Sequence, residues 1–171
     1  MNDPVIPAGY RSEGSPQVEL PMKTMTVSRH VDAPPDRVWD VLTDLEHSPD
    51  VVRAIGLVEI HTGPGFDVGT RWTETRTMMG RTANETMEVT AIDLGRSYVV
   101  EADSGGTHYR SEFRIAPDSD GTAITMTFGG QPSGLGGWVA AATLGRLFAR
   151  PTRKALAADL DDIAQASERS R

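Results

Sequence analysis

Two glutamates and one arginine are the residues of this 171-residue chain whose types and spacing come nearest to chemistry. Glu74 and Arg76 stand two apart in a segment, Thr70–Met78, that is rich in β-prone residues, and Glu85 stands in the returning segment Arg81–Ile92. Met79-Gly80 between them is a candidate two-residue turn, and counting from it sets Arg76 opposite Ala83, Glu74 opposite Glu85 and Trp72 opposite Met87. Two facing carboxylates raise the pKa of one of them unless a cation such as Arg76 compensates. On the Trp72/Met87 face, inside an apolar interior, such a group is equipped to orient a ligand hydroxyl or carbonyl. It is equally equipped to act as general acid or base in an aldol cyclisation or dehydration. On the opposite face, or at the mouth of the interior, the same residues are a solvated cross-strand pair.

Other chemistries find little support. The chain has no cysteine, which removes disulfides, thiolate metal sites and a cysteine nucleophile. No two of His30, His47, His61 and His108 stand at i,i+2 or i,i+4, so no metal motif is expected, and His30 and His108 have the outward strand parity. Gly63-Pro-Gly65 with Gly69 has the wrong spacing for a dinucleotide fingerprint and is followed by a strand. No cofactor is expected. Phe66, in that glycine-flanked loop, is a candidate lid over an entrance, or else packs back on a sheet edge. Tyr98 and Tyr109 share the inward parity and offer hydroxyls either to a ligand or to the backbone.

The elements that must position these residues follow from pattern. Residues 1–21, with Pro4, Pro7, Pro16 and Pro21, read as a flexible extension. Lys23–Asp32 suits a strand, with Met25, Val27 and Val31 on one parity interrupted by Arg29. Pro34-Pro35-Asp36 starts a helix carrying Val38, Trp39, Val41 and Leu42, and Asp44 is an expected N-cap for a second short helix. Six strands follow, at Leu57–His61, Thr70–Met78, Arg81–Ile92, Ser97–Ala102, Thr107–Ile115 and Thr122–Phe128. Their inward sets include Trp72 and Met78 with Met87, Val89 and Ala91, then Tyr98/Val100/Ala102, Tyr109/Phe113/Ile115 and Ile124/Met126/Phe128. A long amphipathic helix over 134–167 closes the chain, with Trp138, Leu144, Leu147 and Phe148 on its apolar stripe, and Pro151 is expected to kink or break it. One face of an antiparallel meander and one helix must cover each other, which predicts an α+β fold: a curved sheet of six or seven strands wrapped around the C-terminal helix, with a cavity between them.

Composition bounds the partners. A net charge of −7 and a pI near 5.0 argue against nucleic acid and anionic lipid. Neither a secretory leader nor a membrane-inserting run is read, so the expected location is the cytoplasm. The preponderance of arginine over lysine suggests a GC-rich bacterial gene.

The stretch Met25–Asp44, with Val68-Gly-Thr-Arg-Trp72, Asp120-Gly-Thr-Ala-Ile-Thr125 and the tail Ala157–Ile163, resembles the START-like or SRPBCC superfamily, which includes polyketide cyclase/dehydratases. The resemblance implies one helix-grip domain over about residues 22–168, with a hydrophobic cavity for a lipid, steroid, polyketide or aromatic molecule. The expected function is binding of a small hydrophobic ligand. The alternatives are a cyclase/dehydratase, a lyase using Glu74 or Glu85 with Arg76, and an interaction module of the chaperone-regulator type. The expected ligand-facing residues are Trp72, Glu74, Arg76, Glu85, Met87, Tyr98, Tyr109, Phe113, Met126, Trp138 and Phe148. Both a monomer and a homodimer are compatible with the sequence.

Overall fold

The structure, a computed structural model, describes residues 23–78, 80–132 and 134–169, apart from the side chains of residues 23, 78 and 134–148. Alternation of apolar and polar residues makes Lys23–Val31 the first strand, β1. The proline pair then fixes the backbone for a helix start: α1 spans Pro35–Thr43 with Asp36 in its first turn, and buries Val38 and Leu42. A second helix, α2, is a single turn at Ser48–Val51. Asp44 does not cap it as expected. His47 holds the N-cap position, and the Asp44 carboxylate instead accepts hydrogen bonds from the His47 backbone N–H (3.2 Å) and ring Nδ1 (2.9 Å).

Six antiparallel strands follow: β2 (Ile55–Ile60), β3 (Arg71–Met78), β4 (Arg81–Asp93), β5 (Ser97–Ser104), β6 (Thr107–Asp118) and β7 (Gly121–Pro132). With β1 they form one seven-stranded curved sheet in the order β1-β7-β6-β5-β4-β3-β2. A final helix, α3, spans Gly134–Arg169. It packs along β1 and against α1 and β7. This is the helix-grip arrangement the pattern predicts. Among the described residues no helix is long and apolar enough to cross a membrane.

The β3–β4 register is the one counted from the turn, with Glu74 opposite Glu85 and Trp72 opposite Met87. Further along β4 the counting fails. A bulge lies between Val89 and Ala91, so Ala91 is exposed and Ile92, opposite Tyr98, turns inward. One unpaired residue reverses the parity of every residue after it, and strict alternation does not reveal where it sits. Pro151 does not break α3, which continues through it as one helix of 36 residues. A proline removes one backbone donor, and the turns on either side retain theirs.

The core between sheet and helices is centred on Val31, Val38, Val89, Ile124 and Leu160. Polar ties fix the helix against the rest. Arg29, the interruption in β1, pairs with Asp161 at 3.2 Å. The buried Asp162 accepts from Arg53 Nε (2.8 Å) and from its backbone N–H (3.1 Å).

Candidate functional site

The sheet curves away from α3 far enough to leave a cavity of ≈ 370 Å³. Each central strand contributes its inward parity: Trp72, Glu74 and Arg76 from β3; Glu85 and Met87 from β4; Tyr98 from β5; Tyr109 and Phe113 from β6; Met126 from β7. Leu156, Asp159 and Ile163 of α3 close the opposite side, and Leu42, Val51 and Phe66 come from α1, α2 and the β2–β3 loop. The side chains of Trp138 and Phe148 lie outside the described residues.

Most of this wall is apolar or aromatic. Tyr98 and Phe113 stack with ring centroids 4.9 Å apart, and Phe66 meets Tyr98 edge-on at 4.9 Å. Phe66 therefore folds inward over the cavity. The Tyr98 hydroxyl donates to the Leu42 carbonyl across 3.4 Å, so it is engaged by the backbone, and burial pushes its pKa far up. Tyr109 stacks on Phe128 at 5.7 Å.

One part of the wall is charged. Arg76 Nη2 donates to Asp159 Oδ2 at 2.5 Å, and Arg76 Nε lies 3.2 Å from Glu74 Oε1, close enough to pair but not aligned for a hydrogen bond. Glu74 and Asp159 are 7% and 8% exposed. Burial raises the pKa of Glu74 above the ordinary 4.5, against the pull of Arg76 and the Trp72 indole N–H. Burial likewise raises Asp159, with Arg76 opposing. Burial disfavours the Arg76 charge, but Asp159, Glu74 and Glu85 outweigh it and hold the guanidinium charged. The Trp72 indole N–H, on the same wall, is buried and acts on Glu74 without being aligned for a full hydrogen bond. Glu85, half-buried, has no hydrogen bond or ion pair among the described residues.

The cluster cannot be explained as a stabilising device. A buried ion pair rarely repays its desolvation, and an apolar triad of the same volume is commonly as stable or more so.

Asp159 is the member that the sequence reading missed. Its signal was present: it stands three residues after Leu156 and four before Ile163, on the apolar stripe of α3 where a carboxylate needs a partner. The histidines are elsewhere, each exposed or half-exposed and engaged by neighbours: His30 by Asp118 and Asp32, His47 by Asp44, His61 by Thr73, His108 by Asp103. Tertiary folding does bring His30, Asp32 and Asp120 within 4.8 Å of one another, a grouping that spacing between histidines does not show. All three are exposed and none touches the cavity.

A family model described as "Polyketide cyclase / dehydrase and lipid transport" matches residues 22–168. No curated protein matches the chain in sequence. Among solved structures, TTHA0849 from Thermus thermophilus superposes with a TM-score of 0.71 at 18% identity, covering 85% of this chain and 97% of that one. The Zhui aromatase/cyclase from Streptomyces sp. R1128 gives a TM-score of 0.69 at 21% identity, covering 86% and 94%. Norcoclaurine synthase from Thalictrum flavum, in complex with dopamine and hydroxybenzaldehyde, gives 0.68 at 18% identity, covering 99% of both chains. At these identities the likeness is one of fold.

Proposed function

The chain belongs to the polyketide cyclase/dehydrase and lipid transport family, and on that premise we propose that it binds a small, mostly apolar molecule in the cavity between the sheet and α3. The observation that carries this reading is the buried charged cluster in an otherwise apolar wall of a ≈ 370 Å³ cavity. That volume falls in the ~300–1,000 Å³ range of small-molecule sites, where a few convergent polar groups fix orientation. Glu74, Arg76 and Glu85 orient a ligand hydroxyl or carbonyl, with Asp159 holding the guanidinium in place. Trp72, Met87, Tyr98, Tyr109, Phe113 and Met126 supply the apolar contact surface.

Native mass spectrometry of the purified protein tests this reading by looking for a co-purifying small molecule. Replacing Glu74 and Glu85 together by glutamine lowers affinity for that molecule by about 1–3 kcal/mol, the range for charge-assisted hydrogen bonds. Unchanged affinity reduces the two glutamates to wall residues.

A second reading, catalysis of the cyclase/dehydratase type, is favoured by the buried position of Glu74, its raised pKa and the cation paired beside it. There Glu74 takes the proton next to a substrate carbonyl and returns it to a departing hydroxyl, which leaves as water. Release of water from a β-hydroxy ketone probe, abolished by Glu74→Gln with binding retained, distinguishes this from carriage alone.

A further inference from the structure

The charge balance of the cavity narrows the class of ligand, given the binding reading above. Among the described residues, three carboxylates, Glu74, Glu85 and Asp159, face the cavity with one guanidinium, Arg76. The charge of that guanidinium is balanced already: its Nε lies against Glu74 and its Nη2 against Asp159. An entering carboxylate, as on a fatty acid, therefore meets no unneutralised cation among the described residues of the cavity and faces a wall of its own sign. Protonating Glu74 or Asp159 leaves two carboxylates against one cation, so the conclusion survives. Glu85 is the residue with capacity to spare. It stands directly opposite Glu74 across the β3–β4 pair, a like-charged arrangement that is unfavourable unless a cation neutralises it. Arg76 does not come within ion-pair distance of it, and the residue is half-buried, reachable from within the cavity. The stacked Tyr109 and Phe128 rings on the same cavity wall present faces of negative potential that also suit a cation.

We propose that the cavity takes an amine: an apolar or aromatic molecule carrying one protonated nitrogen, for which Glu85 is the counter-ion.

Titration with three probes of one skeleton tests this at neutral pH: 2-(1-naphthyl)ethylamine, 2-(1-naphthyl)ethanol and 1-naphthylacetate, followed by calorimetry. The amine is expected to bind about tenfold more tightly than the alcohol, and the acetate most weakly. In Glu85→Gln the preference for amine over alcohol falls about fivefold, whatever happens to the alcohol itself. Acetate binding as tightly as the amine overturns the proposal, as does an amine preference that survives in Glu85→Gln. If the alcohol binds and the amine gains nothing, the amine inference fails while the binding reading stands. If none of the three binds, both fail.

Discussion

The same short motif occurs on both faces of the sheet, with opposite consequences. Inside the cavity, β3 carries Glu74 and Arg76 two residues apart. On the other face, β6 carries Glu112 flanked at the same spacing by Arg110 and Arg114, which donate to it at 3.2 and 2.7 Å. The two arginines hold the Glu112 carboxyl below its ordinary pKa, Arg114 foremost, because water still screens and solvates the group. Glu74 has an arginine at 3.2 Å and yet moves the other way, because burial outweighs the pair. Environment, not motif, decides whether a carboxylate–arginine pair is a surface fastening or a poised polar group.

The largest expected difference comes from removing the cation. Arg76→Ala strands two buried carboxylates and destabilises the fold by about 3–5 kcal/mol in urea denaturation, whereas Arg110→Ala costs at most about 1 kcal/mol. Replacing all three residues of the inner cluster (Glu74→Leu, Arg76→Met and Asp159→Leu) recovers most of that loss, since apolar residues of similar volume need no pairing. Equal losses in the two single variants would erase the contrast between the faces.

The pH dependence has opposite signs on the two faces. Folding raises the Glu74 pKa, so its contribution is fully present below the ordinary 4.5 and is lost as pH rises through the raised folded value. Folding lowers the Glu112 pKa, so its contribution is present above 4.5 and is lost as pH falls through the lowered folded value. Relative to the parent, Glu74→Gln therefore gains stability as pH climbs from 4.5 through the raised folded value. Glu112→Gln loses stability relative to the parent in a lower window, as pH climbs from the lowered folded value towards 4.5, and is level above it. Denaturation midpoints measured across acid and neutral pH separate the two, and slopes of the same sign would contradict the assignment.

The smallest effect belongs to the aromatic wall. Tyr98→Phe removes only a long hydrogen bond to the Leu42 carbonyl and costs about 0.5 kcal/mol by thermal unfolding. A loss several times larger would mean that the hydroxyl belongs with the polar cluster rather than with the core.

Strand order, helix placement and the facing of Glu74 and Glu85 were legible because alternation, proline position and turn length are local signals. The bulge after Val89 was not, because the extra residue is tolerated wherever neighbouring strands accommodate it, here beside the Gly69 and Thr70 backbone hydrogen bonds to Val89. Asp159 was hidden for a different reason. Its partner Arg76 lies 83 residues away in sequence, and only the approach of α3 to β3 makes the pair. What the sequence leaves open about a site is largely what tertiary packing supplies: who meets whom across the cavity, and how dry the meeting is.

Binding inside the cavity is tested most directly by methyl NMR on protein labelled at its methionine methyls. Met87 and Met126 line the cavity, while Met25 packs on the core outside it. On titration with 2-(1-naphthyl)ethanol, the account predicts ring-current shifts at the Met87 and Met126 methyls that saturate together, with Met25 unmoved. Saturable binding that leaves Met87 and Met126 unshifted would place the ligand elsewhere and contradict the account.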